Sequence, residues 1–168
     1  MPRSPVHRRL RSLATLELVN IPLQAWVWFG VAGFPPSAAN VVGFALVAIL
    51  LLQGTGYWVA KLRQLSAGRR RLPGVAVFRL LRVANPPLLF AGTVLAVWST
   101  VGTPGRSSIP GLAFALFAWL EYVNYFHVQL MYDNRADLRR LRARGLVRAS
   151  LARDLDRAMR SHAERPRT

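Results

Sequence analysis

Between Val41 and Ala60 the chain runs for 20 residues without a charged side chain. As a helix that stretch is about 30 Å long at 1.5 Å per residue, enough to cross the hydrocarbon core of a bilayer. Three further apolar blocks accompany it, and the charges collect between and after them. The sequence therefore predicts an all-α, polytopic membrane protein. Its four transmembrane helices are expected at about 13–34, 38–61, 86–102 and 110–133.

The distribution of basic residues orients these spans. Four lie before the first block, seven between Lys61 and Arg82, and eleven between Arg135 and Arg167. The first connection has none, and the third has only Arg106. Twenty-two of the 23 basic residues thus fall on one side of a four-span arrangement. Lysine and arginine are retained on the cytoplasmic side, so both termini are expected in the cytoplasm and the protein in the plasma membrane. The same distribution accounts for the formal net charge of +16 without a nucleic-acid partner, and no nucleic-acid-binding motif is present. Such basic loops predict contact with anionic lipid headgroups, through Arg69, Arg70, Arg71, Arg79 and Arg82 and through Arg139 and Arg140 of the tail. A membrane-protein partner or a second copy of the chain is a further expected contact.

Local signals divide the chain into residues 1–133, the transmembrane domain, and residues 134–168, a basic cytoplasmic tail with a disordered end. The basic start MPRSPVHRRLRS resembles a secretory signal, but Glu17, Asn20, Pro22 and Gln24 interrupt the apolar run that follows, so a retained first span is expected. Pro22 removes a backbone donor and is expected to kink it. Ser37 or Asn40 is suited to cap the second helix. Pro73-Gly74 breaks the basic connection, and residues 75–84 are expected to form a short helix on the membrane surface. Asn85-Pro86-Pro87 reads as the start of the third span, with Asn85 as cap and Pro86 at the first helical position; the alternative is one kinked helix from about Val77. In the tail, Leu138 and Leu141 mark a first helical piece. Val147, Leu151, Leu155, Ala158 and His162 then form an apolar stripe at helical spacing, with Asp156 placed to pair with Arg160.

The chain has no cysteine and no nucleophile elbow, phosphate loop, zinc signature or dinucleotide fingerprint. No cofactor or metal is expected, and no catalytic motif settles whether the chain is an enzyme. Its chemistry is concentrated in polar residues inside two spans. Glu17, Asn20 and Gln24 follow i, i+3, i+7 and share one helical face. In the fourth span Glu121, Asn124, Tyr125 and His127 follow a wholly apolar turn. From the cytoplasmic ends of the two spans, Gln24 and Glu121 both lie about 18 Å deep at 1.5 Å per residue. Asn20 and Asn124 match at about 12–14 Å, and Glu17 and His127 at about 7–9 Å. These levels predict that the first and fourth spans pack together, with Glu121 near Gln24 and His127 near Glu17. A carboxylate so deep in hydrocarbon is costly and faces a bundle interior or cavity.

Four spans with an acidic residue in the first resemble small multidrug exporters in architecture. The long basic tail and the second intramembrane glutamate depart from that pattern, and no residue is carried over. Three functions fit these features: a non-enzymatic accessory or assembly subunit whose tail binds lipid or a partner, a small proton-coupled transporter using Glu17, Glu121 and His127, and a membrane enzyme acting on a lipid or quinone.

Overall fold

Proline and glycine set the helix boundaries. In the computed structural model, which describes residues 5–130 and 146–163, α1 (Pro5–Ala25) passes into a π-helical segment (Trp26–Val31), followed by α2 (Ala38–Ser66), α3 (Val75–Gly102), α4 (Ile109–Phe126) and α5 (Ser150–Ala163). Pro35-Pro36 separates the first segment from α2, and the Ser37 hydroxyl caps α2 by accepting from Asn40 N at 3.3 Å. Gly74, at φ +73°, makes the turn into α3, a conformation that costs glycine nothing. The architecture is all-helical; the described residues contain one isolated β-bridge, between Val128 and Arg148.

α2 is the central helix and packs against α1, α3 and α4. Its crossing with α4 brings backbones together: a Cβ on Gly43 would overlap the Gly111 carbonyl, and one on Gly111 would overlap Ala39. Small residues allow such close approach between apolar helices. Around this crossing, Leu46, Val47 and Leu50 of α2, Leu89 and Ala96 of α3, and Ala115 and Ala118 of α4 form the core. Thr93 and Thr100 return their hydroxyls to the carbonyls of Leu89 and Ala96 at 2.7 and 2.8 Å, which satisfies them within an apolar helix.

The first helix begins at Pro5, ahead of the span expected at about 13–34, and Pro22 lies inside it; the ladder widens to the π register a turn later. There is no break at Asn85: α3 is one helix, as in the alternative of a single helix from about Val77, and residues 75–84 are its first turns rather than a separate surface helix. Pro86 cannot donate to the Arg82 carbonyl, and the Tyr122 hydroxyl of α4 donates to it instead at 3.0 Å. Asn85 is no cap; its side chain is buried and exchanges two hydrogen bonds with Gln53 of α2, at 2.7 and 3.0 Å. Finally, α4 ends at Phe126 rather than near residue 133. The chain there turns to meet the segment before α5, Gln129 N donating to Val147 O at 2.8 Å and Ala149 N to His127 O at 3.0 Å.

Two helices, α2 and α3, are long and apolar enough to cross a membrane. The two ends of the bundle differ in charge. At one end the short connections meet: Arg106 donates to the Ala32 carbonyl at 2.6 Å and lies over the Phe34 ring, and Ser37 Oγ donates to Ser107 O. At the other, α5 docks on α3 and α4. Its stripe of Leu151, Leu155 and Ala158 is buried against the bundle. Asp154 is buried between the Tyr57 hydroxyl at 3.0 Å and Lys61 Nζ at 2.8 Å, and Asp156 pairs with Arg148 at 2.8 Å and Arg82 at 4.0 Å.

Candidate functional site

The polar face of α1 continues one turn beyond what its charged and amide residues indicate. Glu17, Asn20, Gln24 and Trp28 fall at i, i+3, i+7 and i+11, and Trp28 sits in the π segment. Glu17 Oε1 accepts from the Trp58 indole of α2 at 2.8 Å. Glu17 Oε2 is buried and makes no well-formed hydrogen bond, although the Tyr125 hydroxyl of α4 lies beside it. Gly54 makes that approach possible, since a Cβ there would fall 2.6 Å from the Tyr125 hydroxyl and overlap Glu17.

Tyr125 is the link between the two acidic residues. Its hydroxyl lies close to the carboxyl groups of both Glu17 and Glu121. Glu121 is only 8% exposed and accepts from Asn124 Nδ2 at 3.4 Å. One phenolic proton serves one acceptor at a time, so two carboxylates around one tyrosine leave an acceptor free for a proton or a donating ligand.

Above this cluster α1 and α4 stand apart. A groove of about 430 Å³ runs between them, lined by Asn20, Leu23, Gln24, Val27 and Trp28 on one side and by Ala113, Phe114 and Phe117 on the other. Trp28 stacks at a tilt on Phe114, with ring centroids 4.5 Å apart. Two buried polar atoms in this lining have no hydrogen-bond partner, Gln24 Oε1 and Trp28 Nε1. Native proteins leave few such atoms, and each calls for an explanation.

The first and fourth helices meet through side chains, at Trp28–Phe114 and around Tyr125, while each packs more extensively on α2. His127 is not near Glu17. It lies past the end of α4, its Nε2 3.3 Å from the Tyr122 hydroxyl. Burial, with Arg82 and Arg148 nearby, holds its imidazole below the usual histidine range. Asn124 faces both Glu121 and the segment that follows α4, its Oδ1 accepting from Leu130 N at 2.8 Å.

At the basic end, Arg69, Arg70 and Arg71 are exposed in the α2–α3 connection. Arg69 and Arg63 line a hollow of about 460 Å³ with Ser66, Ala67 and Pro73. Arg79 is half-buried, with Nε and Nη2 unpartnered, and Arg82 is engaged with Asp156. Arg139, Arg140, Leu138, Leu141, Tyr132 and Asp133 lie outside the described residues, as does the side chain of His162. Asp156 pairs across the fold, with Arg148 and Arg82, rather than along its helix. Among the described residues, no three side chains of metal-ligating type converge.

Sequence reasoning missed Trp28, Trp58 and Arg63. Trp28 was detectable as the next residue on the i, i+3, i+7 face, whereas Trp58 reaches Glu17 only because α2 and α1 cross at Gly54. The chain matches no protein-family model, no curated protein sequence and no solved structure.

Proposed function

We propose that the chain is a four-span protein of the plasma membrane with both termini in the cytoplasm. In this reading it is a non-enzymatic accessory subunit whose α1–α4 face receives a proton or small ligand inside the bilayer. The observation that carries the reading is the buried carboxyl pair around Tyr125, continued along α1 by the unpartnered atoms of Gln24 and Trp28. Intramembrane ionisable residues mark ligand or proton sites by default. Membrane crossing is supported by the broad apolar surface outside the core. Leu80, Val83, Phe90, Trp98 and Val101 of α3 all face outward, Trp98 being 81% exposed, and patches of this extent belong to a membrane or a partner. The orientation is supported by the collection of basic residues at the α5 end. There Arg63, Arg69, Arg70 and Arg71 are placed to meet anionic headgroups, and α5 itself is docked on the bundle through its apolar face.

A second reading, proton-coupled transport, is favoured by one feature. Glu17 and Glu121 come from different helices and share Tyr125, so their separation changes if α1 moves against α2 and α4.

Two experiments test the proposal. Reporter fusions after Arg70 and Arg144 are expected inside and a fusion after Arg106 outside; an Arg70 fusion that reads outside contradicts the topology. For the site, dicyclohexylcarbodiimide, which reaches protonated carboxyls from the lipid phase, is expected to modify Glu17 or Glu121 in native membranes. A water-soluble carbodiimide is not. Modification that persists in a Glu17→Gln/Glu121→Gln double variant, or none in the wild type, contradicts the site.

A further inference from the structure

The described residues contain four carboxylates, and the fold commits each of them. Glu17 and Glu121 lie in the cluster around Tyr125. Asp154 is held by Lys61 and Tyr57, and Asp156 by Arg148 and Arg82. The connection from α2 to α3 is left without a counter-charge of its own: from residue 61 to residue 82 it carries seven basic side chains and no acidic one. Lys61 and Arg82 find their partners on α5. Among the described residues, no carboxylate pairs with Arg63, Arg69, Arg70, Arg71 or Arg79.

Two of these arginines border a concave surface. Arg63 and Ser66 are one helical turn apart at the end of α2 and share a face; with Ala67, Arg69 and Pro73 they line the hollow of about 460 Å³. Arg63, Ser66 and Arg69 are all exposed, so an occupant can reach their side chains. Guanidinium groups pair with phosphate oxygens through two parallel hydrogen bonds. The uncharged run of α2 ends at Ala60, and residues 63–67 lie about 5–10 Å beyond it at 1.5 Å per residue. The headgroup layer on each face of a bilayer is about 5–8 Å thick, so in the spanning orientation the hollow lies at phosphate level. In the turns of α3 that follow, Val77 and Leu80 are 57% and 67% exposed and offer apolar surface to an acyl chain.

From this we infer that the hollow beside the α2–α3 connection is a discrete site for a lipid ending in a phosphomonoester. Arg63 and Arg69 pair with its phosphate oxygens, and the Ser66 hydroxyl donates to a further one. The inference deepens the headgroup contact of the proposed function and rests on its membrane-spanning reading. Charge selects the head. A zwitterionic head brings an ammonium group, and the connection has no carboxylate to meet it. A phosphodiester brings one negative charge to two lining arginines. A phosphomonoester carries about 1.5–2 negative charges at pH 7, its second ionisation lying near pH 6, and presents three acceptor oxygens; it matches both arginines.

The test uses the full chain in detergent micelles and native mass spectrometry, with phosphatidic acid, phosphatidylglycerol and phosphatidylcholine of identical acyl chains as probes. One phosphatidic acid is expected per chain, held about two- to fivefold more tightly than phosphatidylglycerol, the factor one exposed ion pair supplies. Phosphatidylcholine is expected to bind weakest. Arg63→Gln/Arg69→Gln is expected to bring phosphatidic acid level with phosphatidylglycerol. Arg70→Gln/Arg71→Gln removes the same charge from outside the lining and is expected to weaken both anionic lipids while keeping the preference. All four arginines are exposed, so neither variant threatens folding. Lowering the pH from about 7.5 to about 5.5 is expected to remove the preference in the wild type, because the monoester loses its second charge. Loss of the preference in both double variants alike overturns the discrete site. Equal binding of phosphatidic acid and phosphatidylglycerol by the wild type overturns the monoester assignment. Displacement of the lipid by an equal concentration of glycerol 3-phosphate overturns the lipid in favour of a soluble phosphate. If the reporter fusions agree with the four-span topology while phosphatidic acid is not preferred, the inference fails and the spanning reading stands.

Discussion

Asn40 and Gln24 are both amides set among apolar helices, and they differ in what surrounds them. Asn40 is fully buried and every polar atom of its side chain is used: Nδ2 donates to Pro35 O at 2.9 Å and Arg106 O at 3.0 Å, and Oδ1 accepts from Gly111 N at 2.8 Å. It ties two connections and the start of α4 to α2. Gln24 is half-buried, its Oε1 is shielded from solvent, and that atom has no partner. A satisfied polar network specifies a structure, whereas an unsatisfied one is tolerated where something else is bound. The same distinction separates Gln53–Asn85, a closed reciprocal pair, from the Glu17–Tyr125–Glu121 cluster, in which acceptors outnumber protons.

This contrast is sharpest at Asn40. Asn40→Ala removes three hydrogen bonds, each worth about 0.5–1.5 kcal/mol, and leaves the buried Gly111 N–H without its acceptor. A loss on the order of 3 kcal/mol or more is expected, read as a large fall in Tm in detergent micelles or as failure to fold. A change within about 0.5 kcal/mol, the range of ordinary surface substitutions, would remove Asn40 from its structural role.

Next in size is the crossing of α2 and α4 beside it. Gly111→Val forces the backbones apart, and overpacking of this kind costs about 1–3 kcal/mol. Gly56, in the same helix as Gly43, has open space where a Cβ would fall, so Gly56→Ala is expected to be neutral or to stabilise by up to about 1 kcal/mol. Equal destabilisation by both substitutions in unfolding experiments would contradict the crossing.

Docking of α5 comes third. Asp154→Asn removes a charge held by Lys61 and Tyr57; Lys61 is 21% exposed, so its own charge remains hydrated and the cost is expected near 2 kcal/mol, below that of a fully buried pair. Trypsin is expected to cut at Arg153 and Arg157 several-fold faster than in the wild type, and unchanged cleavage would contradict the docking.

A smaller, pH-dependent effect is expected at His127. Its imidazole titrates below the usual range in the folded protein, so between the folded and unfolded values the unfolded chain binds more protons, and stability falls as pH drops below about 6.5. His127→Phe is expected to remove that part of the acid slope in unfolding curves. A slope that is unaltered places the titration elsewhere.

Much of this was legible in the chain itself. The apolar blocks marked the helices, Ser37 was a readable cap, and Glu17–Asn20–Gln24 revealed the polar face of α1 because one helix fixes that spacing. What escaped depended on partners from elsewhere. Pro86 reads as a helix start in isolation, and the helix runs through it because Tyr122, 36 residues later, supplies a donor to Arg82 O. Asn85 and Asp154 have roles that only Gln53, Tyr57 and Lys61 define. The stripe on α5 was visible, but the sequence assigned the tail to lipid or a partner, whereas Asp154, Asp156 and Arg148 hold α5 on the bundle.

Thermal unfolding of Gln24→Leu in detergent micelles tests most directly whether Gln24 serves the α1–α4 site rather than holding the fold. The substitution removes no hydrogen bond among the described residues and replaces an unsatisfied buried oxygen with a methyl group. Tm is predicted to be unchanged or raised. A fall comparable to that of Asn40→Ala would show that Gln24 is a structural amide and would contradict the site.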